Sequence, residues 1–113
     1  FKQQIKLAKA DGITDEQIIL DPGIGFGKTD EHNIRILNNI GAFKKLGYPV
    51  LVGVSRKSMI GRITGANEKD RLPSTLALHW QALQQGVDMI RVHDVSEHKQ
   101  LIHLHKGFSV ARS

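Results

Sequence analysis

The sequence predicts an α/β protein in which parallel strands alternate with helices. Three short runs rich in isoleucine, valine and leucine, at positions 17–21, 48–55 and 88–95, are typical of buried parallel strands. A helical pattern precedes each run and ends near a glycine, the usual residue just beyond a helix. The runs recur about every 35 residues, which suits one strand and one crossover helix of roughly 30 residues or more.

The predicted elements follow one another in a regular order. The first helix is expected over 2–10 and stops near Gly12, a second covers 33–46, a third covers 74–85, and the last begins near Ser96. Three such units do not close a barrel, which needs about 250 residues, and the chain begins inside a helical pattern. We therefore expect the 113 residues to be part of a larger protein.

The composition is that of an ordinary globular protein, with 40% hydrophobic and 24% charged residues. A net charge of +5 favours anionic partners in general, but the basic residues are scattered, which argues against a nucleic-acid-binding arm. The sequence has no cysteine and no apolar run near the ~20 residues of a membrane helix. We therefore expect a cytoplasmic protein with neither nucleic acid nor a membrane as its partner.

Asp21 ends the first predicted strand and precedes a glycine-rich stretch, 22–29. That stretch ends in Gly-Lys-Thr, but proline stands at position 22, where a phosphate-binding P-loop requires glycine. Alternate residues of a strand share a face, so Asp21 lies on the face of Ile19, opposite Leu20. There its carboxylate can accept two parallel hydrogen bonds, from a ring N–H and an exocyclic amine. Equally, Asp21 can simply cap the following turn.

The second strand ends in Ser55-Arg56-Lys57-Ser58. Serine hydroxyls and two cations at the start of a helix make a good site for a carboxylate or a phosphate, and Ser58 is a candidate N-cap. Gly53 leaves room in a crowded interior or for a ligand. The alternative is a solvated basic turn without a ligand.

The third strand ends in Arg91-Val92-His93-Asp94, with Arg91 and His93 on one face. Two side chains that can be cationic at a strand end predict a polyanion site, and barrels often bind phosphate after their last two strands. The alternative is a solvent-exposed sheet edge. His103 and His105 cannot share a helix face and have no acidic or cysteine partner at ligand spacing, so the sequence predicts no metal ligand.

Taken together, the stretches 19–29, 55–58 and 91–94, with His32-Asn33, resemble dihydropteroate synthase in their order, spacing and strand-end positions. The resemblance covers nearly the whole chain. It implies an α/β fold that is the last three βα units of a TIM (β/α)8 barrel, with parallel strands and outer helices. Residues 1–113 would then be the incomplete C-terminal part of a pterin-binding barrel domain.

The resemblance also implies roles for individual residues of the site. Asp21 would bind the pyrimidine edge of the pterin, and Lys57 would contact the ring carbonyl and a ring nitrogen. Ser55 would lie near the carboxylate of p-aminobenzoate, with Arg56 in a supporting role. Further predicted substrate contacts are Gly25 and Phe26, which line the pocket, and Arg91 and His93, which hold the pyrophosphate. Lys57, Arg91 and His93 are the expected catalytic residues.

The implied reaction displaces pyrophosphate from dihydropterin pyrophosphate by the amine of p-aminobenzoate, giving dihydropteroate for folate synthesis. The resemblance also implies that the enzyme uses Mg²⁺, whose ligand is expected outside this segment. It further implies a homodimer formed by the later helices, around Trp80. The 113 residues alone are expected to be inactive. Two alternatives stay open: a pterin-binding barrel of the methyltransferase type, which has no pyrophosphate to hold, and a non-catalytic α/β assembly fragment.

Overall fold

The computed structural model describes residues 1–24 and 29–112. Within these ranges, parallel strand segments alternate with helices, so the protein has the α/β organisation that the sequence predicts. The elements in chain order are α1 (Lys2–Ala10), α2 (Asp30–Asn38), α3 (Ile40–Lys44), β1 (Leu51–Val52), α4 (Ser58–Thr64), α5 (Leu72–Gln84), β2 (Met89–Ile90) and α6 (Val95–Arg112), with short 3₁₀ turns at Asp15–Gln17 and Glu68–Asp70.

The strand segments are short and parallel, with β1 in the middle. Leu51 pairs with Met89, and Val52 pairs with Ile90. On the other side of β1, Leu20 and Val50 form an isolated parallel bridge. All three predicted strands are therefore represented, in the order first, second, third across the sheet.

The first predicted strand, 17–21, is reduced to the single bridge at Leu20. Thr14 and Gln17 form a capping box, in which the Thr14 N–H donates to the Gln17 side chain at 2.9 Å. This reciprocal capping favours a helical turn over residues 15–17, so Gln17 does not join the sheet.

The predicted helix over 33–46 is divided in two at Asn39. Its backbone leaves the helical region (φ −122°, ψ 23°), and its side-chain amide donates to the carbonyl of Arg35 at 2.7 Å. A side chain that satisfies a carbonyl four residues earlier replaces the backbone bond that would continue the helix. The break lets α3 turn toward the core, where Ile40 is fully buried.

The core lies on the face of the sheet that carries alternate residues of the middle strand. Val50, Val52 and Val54 are fully buried, and Leu20 is only 4% exposed, whereas Ile19 is 55% exposed. The alternation predicted for the first run is therefore confirmed. Residues of α2, α3 and α5 complete the same apolar cluster, so the helices cover this face and position the strand ends next to it.

Ser58 is not the N-cap of α4, contrary to the prediction. Lys57 takes that position, with the extended backbone typical of an N-cap (φ −63°, ψ 145°), and Ser58 is the first helical residue. The helix ends at Gly65, whose φ of 78° is the left-handed conformation that glycine adopts without strain. α5 then begins with Leu72-Pro73, since proline is well suited to the first turn of a helix.

Candidate functional site

The carboxyl ends of the three strand segments bring together the side chains that the sequence singles out. Arg91 follows β2, and its Nη1 lies 3.4 Å from Oδ2 of Asp21, which follows the Leu20 bridge. Between them, β1 leads to Ser55 and Lys57. A cavity of about 300 Å³ at this point is lined by Gly53, Ser55, Lys57, Arg91, Val92 and His93. Ligands of parallel α/β sheets bind at this end of the strands.

Gly53 determines where the Arg91 side chain can lie. A Cβ atom built on Gly53 would be 3.0 Å from both Nε and Nη2 of Arg91, which is closer than a side chain normally tolerates. The guanidinium therefore crosses directly over the Cα of Gly53 on its way to Asp21. The room that the sequence predicts at Gly53 is occupied by this side chain.

Asp21 uses its two carboxylate oxygens differently. Oδ1 accepts a hydrogen bond from the Gly23 N–H at 2.8 Å, so the turn-capping alternative is realised. Oδ2 has the long contact with Arg91, and both side chains of that ion pair are substantially exposed, at 37% for Asp21 and 52% for Arg91. Exposed ion pairs stabilise a fold by only about 0–1 kcal/mol, so Arg91 can exchange for another donor at Oδ2 at little cost.

Ser55 and His93 form a two-point contact across the strand ends. The His93 N–H donates to Ser55 Oγ at 3.1 Å, and the same oxygen lies 2.8 Å from His93 Nδ1. The Ser55 hydroxyl can accept the backbone N–H and donate its own proton to Nδ1. In that arrangement Nε2 carries the ring hydrogen and can donate it to an anion in the cavity.

Arg56 has a left-handed backbone, with a φ of 54°, which is uncommon outside glycine. Its N–H donates to Thr75 Oγ1 at 3.1 Å, and its carbonyl accepts from Arg71 Nη1 at 3.2 Å. Its guanidinium pairs with Asp94, with Nη2 to Oδ1 at 2.7 Å. Such strain costs of order 1–3 kcal/mol and persists where surrounding contacts enforce it, often at functional sites.

The ion pair between Arg56 and Asp94 links the loop after β1 to the loop after β2. The hydrogen bond from Arg56 lowers the pKa of the Asp94 carboxyl below its usual range, and the same bond raises the pKa of Arg56. Both groups therefore stay charged at neutral pH. The guanidinium of Arg56 is therefore engaged with another residue of the chain itself.

Sequence reasoning missed Thr75 and Arg71, which hold the Arg56 turn from the start of α5. Arg71 in turn packs closely on Gly61 of α4, where an added Cβ would be 2.5 Å from Nη2. No local pattern marks these residues, because their contacts span 15 to 19 positions. Asp94 could have been found, since it directly follows His93 at the same strand end.

Two of the predicted substrate contacts, Gly25 and Phe26, lie outside residues 1–24 and 29–112, which the structure describes. Within those ranges, no three histidine, cysteine, aspartate or glutamate side chains are grouped so as to hold a metal ion. Among the same residues, no helix is both long and apolar enough to cross a membrane.

Lys57, Arg91 and His93 line one cavity at the carboxyl ends of parallel strands, and Asp21 contacts this group through Arg91. Proteins of the α/β class bind their ligands at this end of the strands. The family model described as "pterin binding enzyme" matches residues 1–93. The chain therefore belongs to the pterin binding enzyme family.

Individual relatives agree with this assignment. The chain is 47% identical over 101 residues to a dihydropteroate synthase of Clostridium beijerinckii, covering 88% of this chain and 38% of that protein. It is 45% identical over 107 residues to a bifunctional dihydropteroate synthase/dihydropteroate reductase of Helicobacter pylori, covering 95% and 28% respectively. The chain thus spans roughly a third of the length of these relatives.

A solved structure shows the same arrangement of elements. The dihydropteroate synthase of Xanthomonas albilineans in complex with 7,8-dihydropteroate superimposes with a TM-score of 0.90 at 34% identity. The match covers 95% of this chain and 41% of that one.

Proposed function

We propose that this chain is part of a dihydropteroate synthase, which joins dihydropterin pyrophosphate to p-aminobenzoate and releases pyrophosphate. Membership of the pterin binding enzyme family supports this, as do relatives of that name at 45% and 47% identity. Because the chain spans only part of these relatives, the activity is proposed for the full-length protein that carries these residues. The structural observation that carries the proposal is the cavity lined by Lys57, Arg91 and His93, next to which Asp21 contacts Arg91.

We propose further that residues 1–113 are the last three βα units of a TIM barrel. Three parallel strand segments in sequential order support it, as does the coverage of about two fifths of the Xanthomonas structure. In such a barrel the active site lies at the carboxyl ends of the strands, which is where the cavity lies here.

The pterin end of the proposed site rests on Asp21. Its Oδ1 is fixed by the Gly23 N–H, so the carboxylate has a defined orientation with Oδ2 directed to an exchangeable partner. A pterin offers a ring N–H beside an exocyclic amine, and a carboxylate accepts both in parallel. Lys57, which lines the cavity beside Arg91, would donate to the ring carbonyl and nitrogen, while Gly25 and Phe26 would complete the pocket wall.

The anion end of the proposed site consists of Arg91 and His93. In the reaction the C–O bond to pyrophosphate breaks, the amine nitrogen of p-aminobenzoate bonds to the pterin methylene carbon, and the amine loses a proton. Negative charge develops on the departing pyrophosphate. The Arg91 guanidinium and the ring Nε2–H of His93 would stabilise that charge, which is the usual source of large rate enhancement. Ser55, close to the helix that starts at Ser58, would contact the p-aminobenzoate carboxylate.

Mg²⁺ would add positive charge at the pyrophosphate when it is bound. The residues described here do not fit a magnesium site, since they contain no cluster of acidic ligands. We therefore assign no step of the reaction to a metal held by this chain.

A homodimer formed through α5 and α6 is also proposed. Trp80 of α5 packs edge-on against Phe108 of α6, with ring centroids 5.7 Å apart. Leu104, Phe108 and Val110 on α6 are each about half exposed or more. An apolar surface of this kind is typical of subunit contacts.

The proposal is tested by pyrophosphate release from the full-length protein supplied with both substrates. Arg91→Ala should reduce turnover strongly, while Arg35→Ala, which removes an exposed arginine paired with Glu31 on α2, serves as the matched control. A protein that binds a pterin but neither binds nor releases pyrophosphate would instead support the methyltransferase-type alternative.

A further inference from the structure

A buried pair of histidines lies behind the candidate site, and none of the roles above uses it. His79 on α5 is fully buried, and His98 on α6 is 2% exposed. His79 Nδ1 lies 2.8 Å from His98 Nε2. The outer nitrogens contact backbone groups: the Val54 N–H donates to His79 Nε2 at 3.1 Å, and His98 Nδ1 lies 2.6 Å from the carbonyl of Asp94.

The two backbone groups determine where the protons of the pair lie. An N–H can only donate and a carbonyl can only accept, so His79 Nε2 is unprotonated and its Nδ1 carries hydrogen. That hydrogen is donated to His98 Nε2, and His98 Nδ1–H is donated to Asp94. Two neutral rings in this tautomer satisfy all four ring nitrogens. Burial, together with the neighbouring His98, lowers the pKa of His79 to about 3, so this ring stays neutral near pH 7.

The pair joins the two strands where their pairing ends. The last ladder bond runs from the Arg91 N–H to the carbonyl of Val52. In a continuing parallel ladder the next donors would be the N–H groups of Val54 and His93, each bonded to the other strand. Instead, Val54 donates to His79 and His93 donates to the Ser55 side chain. Side chains thus replace the ladder where the strands separate to form the cavity.

The histidine pair connects Val54 to Asp94, and both of these residues are next to site residues in the chain. Val54 precedes Ser55, and Asp94 follows His93 and holds Arg56. The Ser55–His93 contact and the Arg56–Asp94 ion pair cross the same gap between the strands. A shift of either strand end alters both contacts, because each contact has one partner on each strand.

We propose that His79 and His98 are positioning residues for the anion site: as a neutral hydrogen-bonded pair they hold Val54 and Asp94, and so set the distance between Ser55 and His93. The inference deepens the proposed function and rests on it for the identity of the anion, pyrophosphate. The positioning itself rests on the hydrogen bonds within this chain.

The test uses variants of the full-length protein that break the same central bond from either side. His79→Gln keeps an acceptor for the Val54 N–H but loses the Nδ1 donor, and His98→Asn keeps a donor for Asp94 but loses the Nε2 acceptor. The double variant should be no worse than either single variant, because all three lack the same bond. His103→Asn, at an exposed histidine of α6, is the matched control.

The expected result is a roughly fivefold loss of pyrophosphate affinity by calorimetry in each single variant, as for one lost hydrogen bond of ordinary strength. Pterin affinity and the circular dichroism spectrum should stay close to the wild type, which a general loss of stability would not allow. Unchanged pyrophosphate affinity in folded His79→Gln and His98→Asn would overturn the proposal.

Nitrogen NMR of the histidine rings tests the pair without any ligand. Hydrogen on Nδ1 and a bare Nε2 are expected for both His79 and His98, and the His93 ring signals should shift in His79→Gln. Hydrogen on Nε2 of either buried ring in the wild type contradicts the proposal, and this measurement does not depend on any variant. A His93 signal that is unaffected in folded His79→Gln contradicts it as well. A wild type that binds no pyrophosphate would contradict the proposed function, while the ring signals would still decide the positioning.

Discussion

Arg91 reaches Asp21 across Gly53, with Nη1 3.4 Å from Oδ2 and the guanidinium over the Cα of the glycine. The contact joins the pterin end and the anion end of the proposed site in one exposed ion pair. Its length and exposure mean that it contributes little stability. In the proposed site, a pterin bound at Asp21 would replace Arg91 there and leave the guanidinium available to the pyrophosphate.

Asp21→Asn should weaken pterin binding more than any other single change in the site. Asparagine can keep the Oδ1 contact with the Gly23 N–H, so the turn is preserved. At the second position an amide donor replaces a carboxylate acceptor and faces the donors of the pterin. A mismatched polar pair costs about 1–3 kcal/mol, more when charge is lost, and calorimetry with the free pterin should show this. An affinity equal to that of the wild type would refute the role of Asp21.

His93→Ala and Arg91→Ala should weaken pyrophosphate binding and slow turnover, with pterin affinity nearly unchanged. Both side chains line the cavity and are proposed to contact the leaving group rather than the ring. Titrations with pyrophosphate and with pterin, beside the Arg35→Ala control, separate the two effects. Equal losses for both ligands would show that the site is not divided as proposed.

Gly53→Ala should reduce pyrophosphate affinity without removing any functional group. The new methyl group would lie 3.0 Å from the Arg91 guanidinium, so that side chain must move off the strand. Because only the flexible end of a side chain is displaced, the free energy of unfolding should change little. Paired calorimetry and urea denaturation check both points, and unchanged pyrophosphate affinity would mean that the position of Arg91 over Gly53 is unimportant.

The sequence was sufficient to predict the structure where buried and exposed residues alternate regularly along the chain. The alternation of Ile19 and Leu20 placed Asp21 on the correct face, because only one face of the strand packs on the helices. The helix over 2–10 was predicted with its observed bounds. In contrast, the turn at 15–17 and the break at Asn39 depend on single side-chain hydrogen bonds, which compete with the periodic pattern and are not visible in it.

The supports of the site could not be predicted in the same way. Thr75 and His79 touch the strand ends only because α5 packs across them. Those contacts depend on the position of the helix, which no local spacing encodes. The left-handed backbone of Arg56 follows from the same contacts, since nothing in its own residue type favours a positive φ.

Thr75→Val should lower the free energy of unfolding by about 1–3 kcal/mol, because it leaves the Arg56 N–H without its acceptor. Thr75 is fully buried, so water cannot readily replace the lost hydroxyl, and valine has nearly the same shape. Urea denaturation measures the change. Thr64→Val, at an exposed position of α4, is the comparison and should cost clearly less; equal losses would show that the Arg56 contact is not what stabilises the turn.

The stability of the protein should fall as the pH drops from about 6.5 toward about 4, and His79 should cause much of that fall. In the unfolded chain its pKa is near 6.5, whereas in the folded protein burial and His98 lower the pKa to about 3. Between these values the unfolded state binds a proton that the folded state does not, so acid favours unfolding by about 1.4 kcal/mol per pH unit for one such group. Above pH 6.5 both states are neutral at this residue, and the dependence disappears.

The carboxyl groups of Asp30 and Asp94 affect the stability of the protein at a lower pH than His79 does. Hydrogen bonds from Arg62 and from Arg56, respectively, lower the pKa of these carboxyls from 3.8, so the stability they provide is present above about pH 4 and is lost below it. Between about pH 4 and 6.5, the pH dependence of the free energy of unfolding therefore reports on His79 rather than on these two carboxyl groups. Urea denaturation at several pH values should show a shallower slope there for His79→Gln than for the wild type, with His103→Asn unchanged. The same slope in His79→Gln and in the wild type would mean that protonation of His79 does not drive acid unfolding, and that the buried pair tolerates charge.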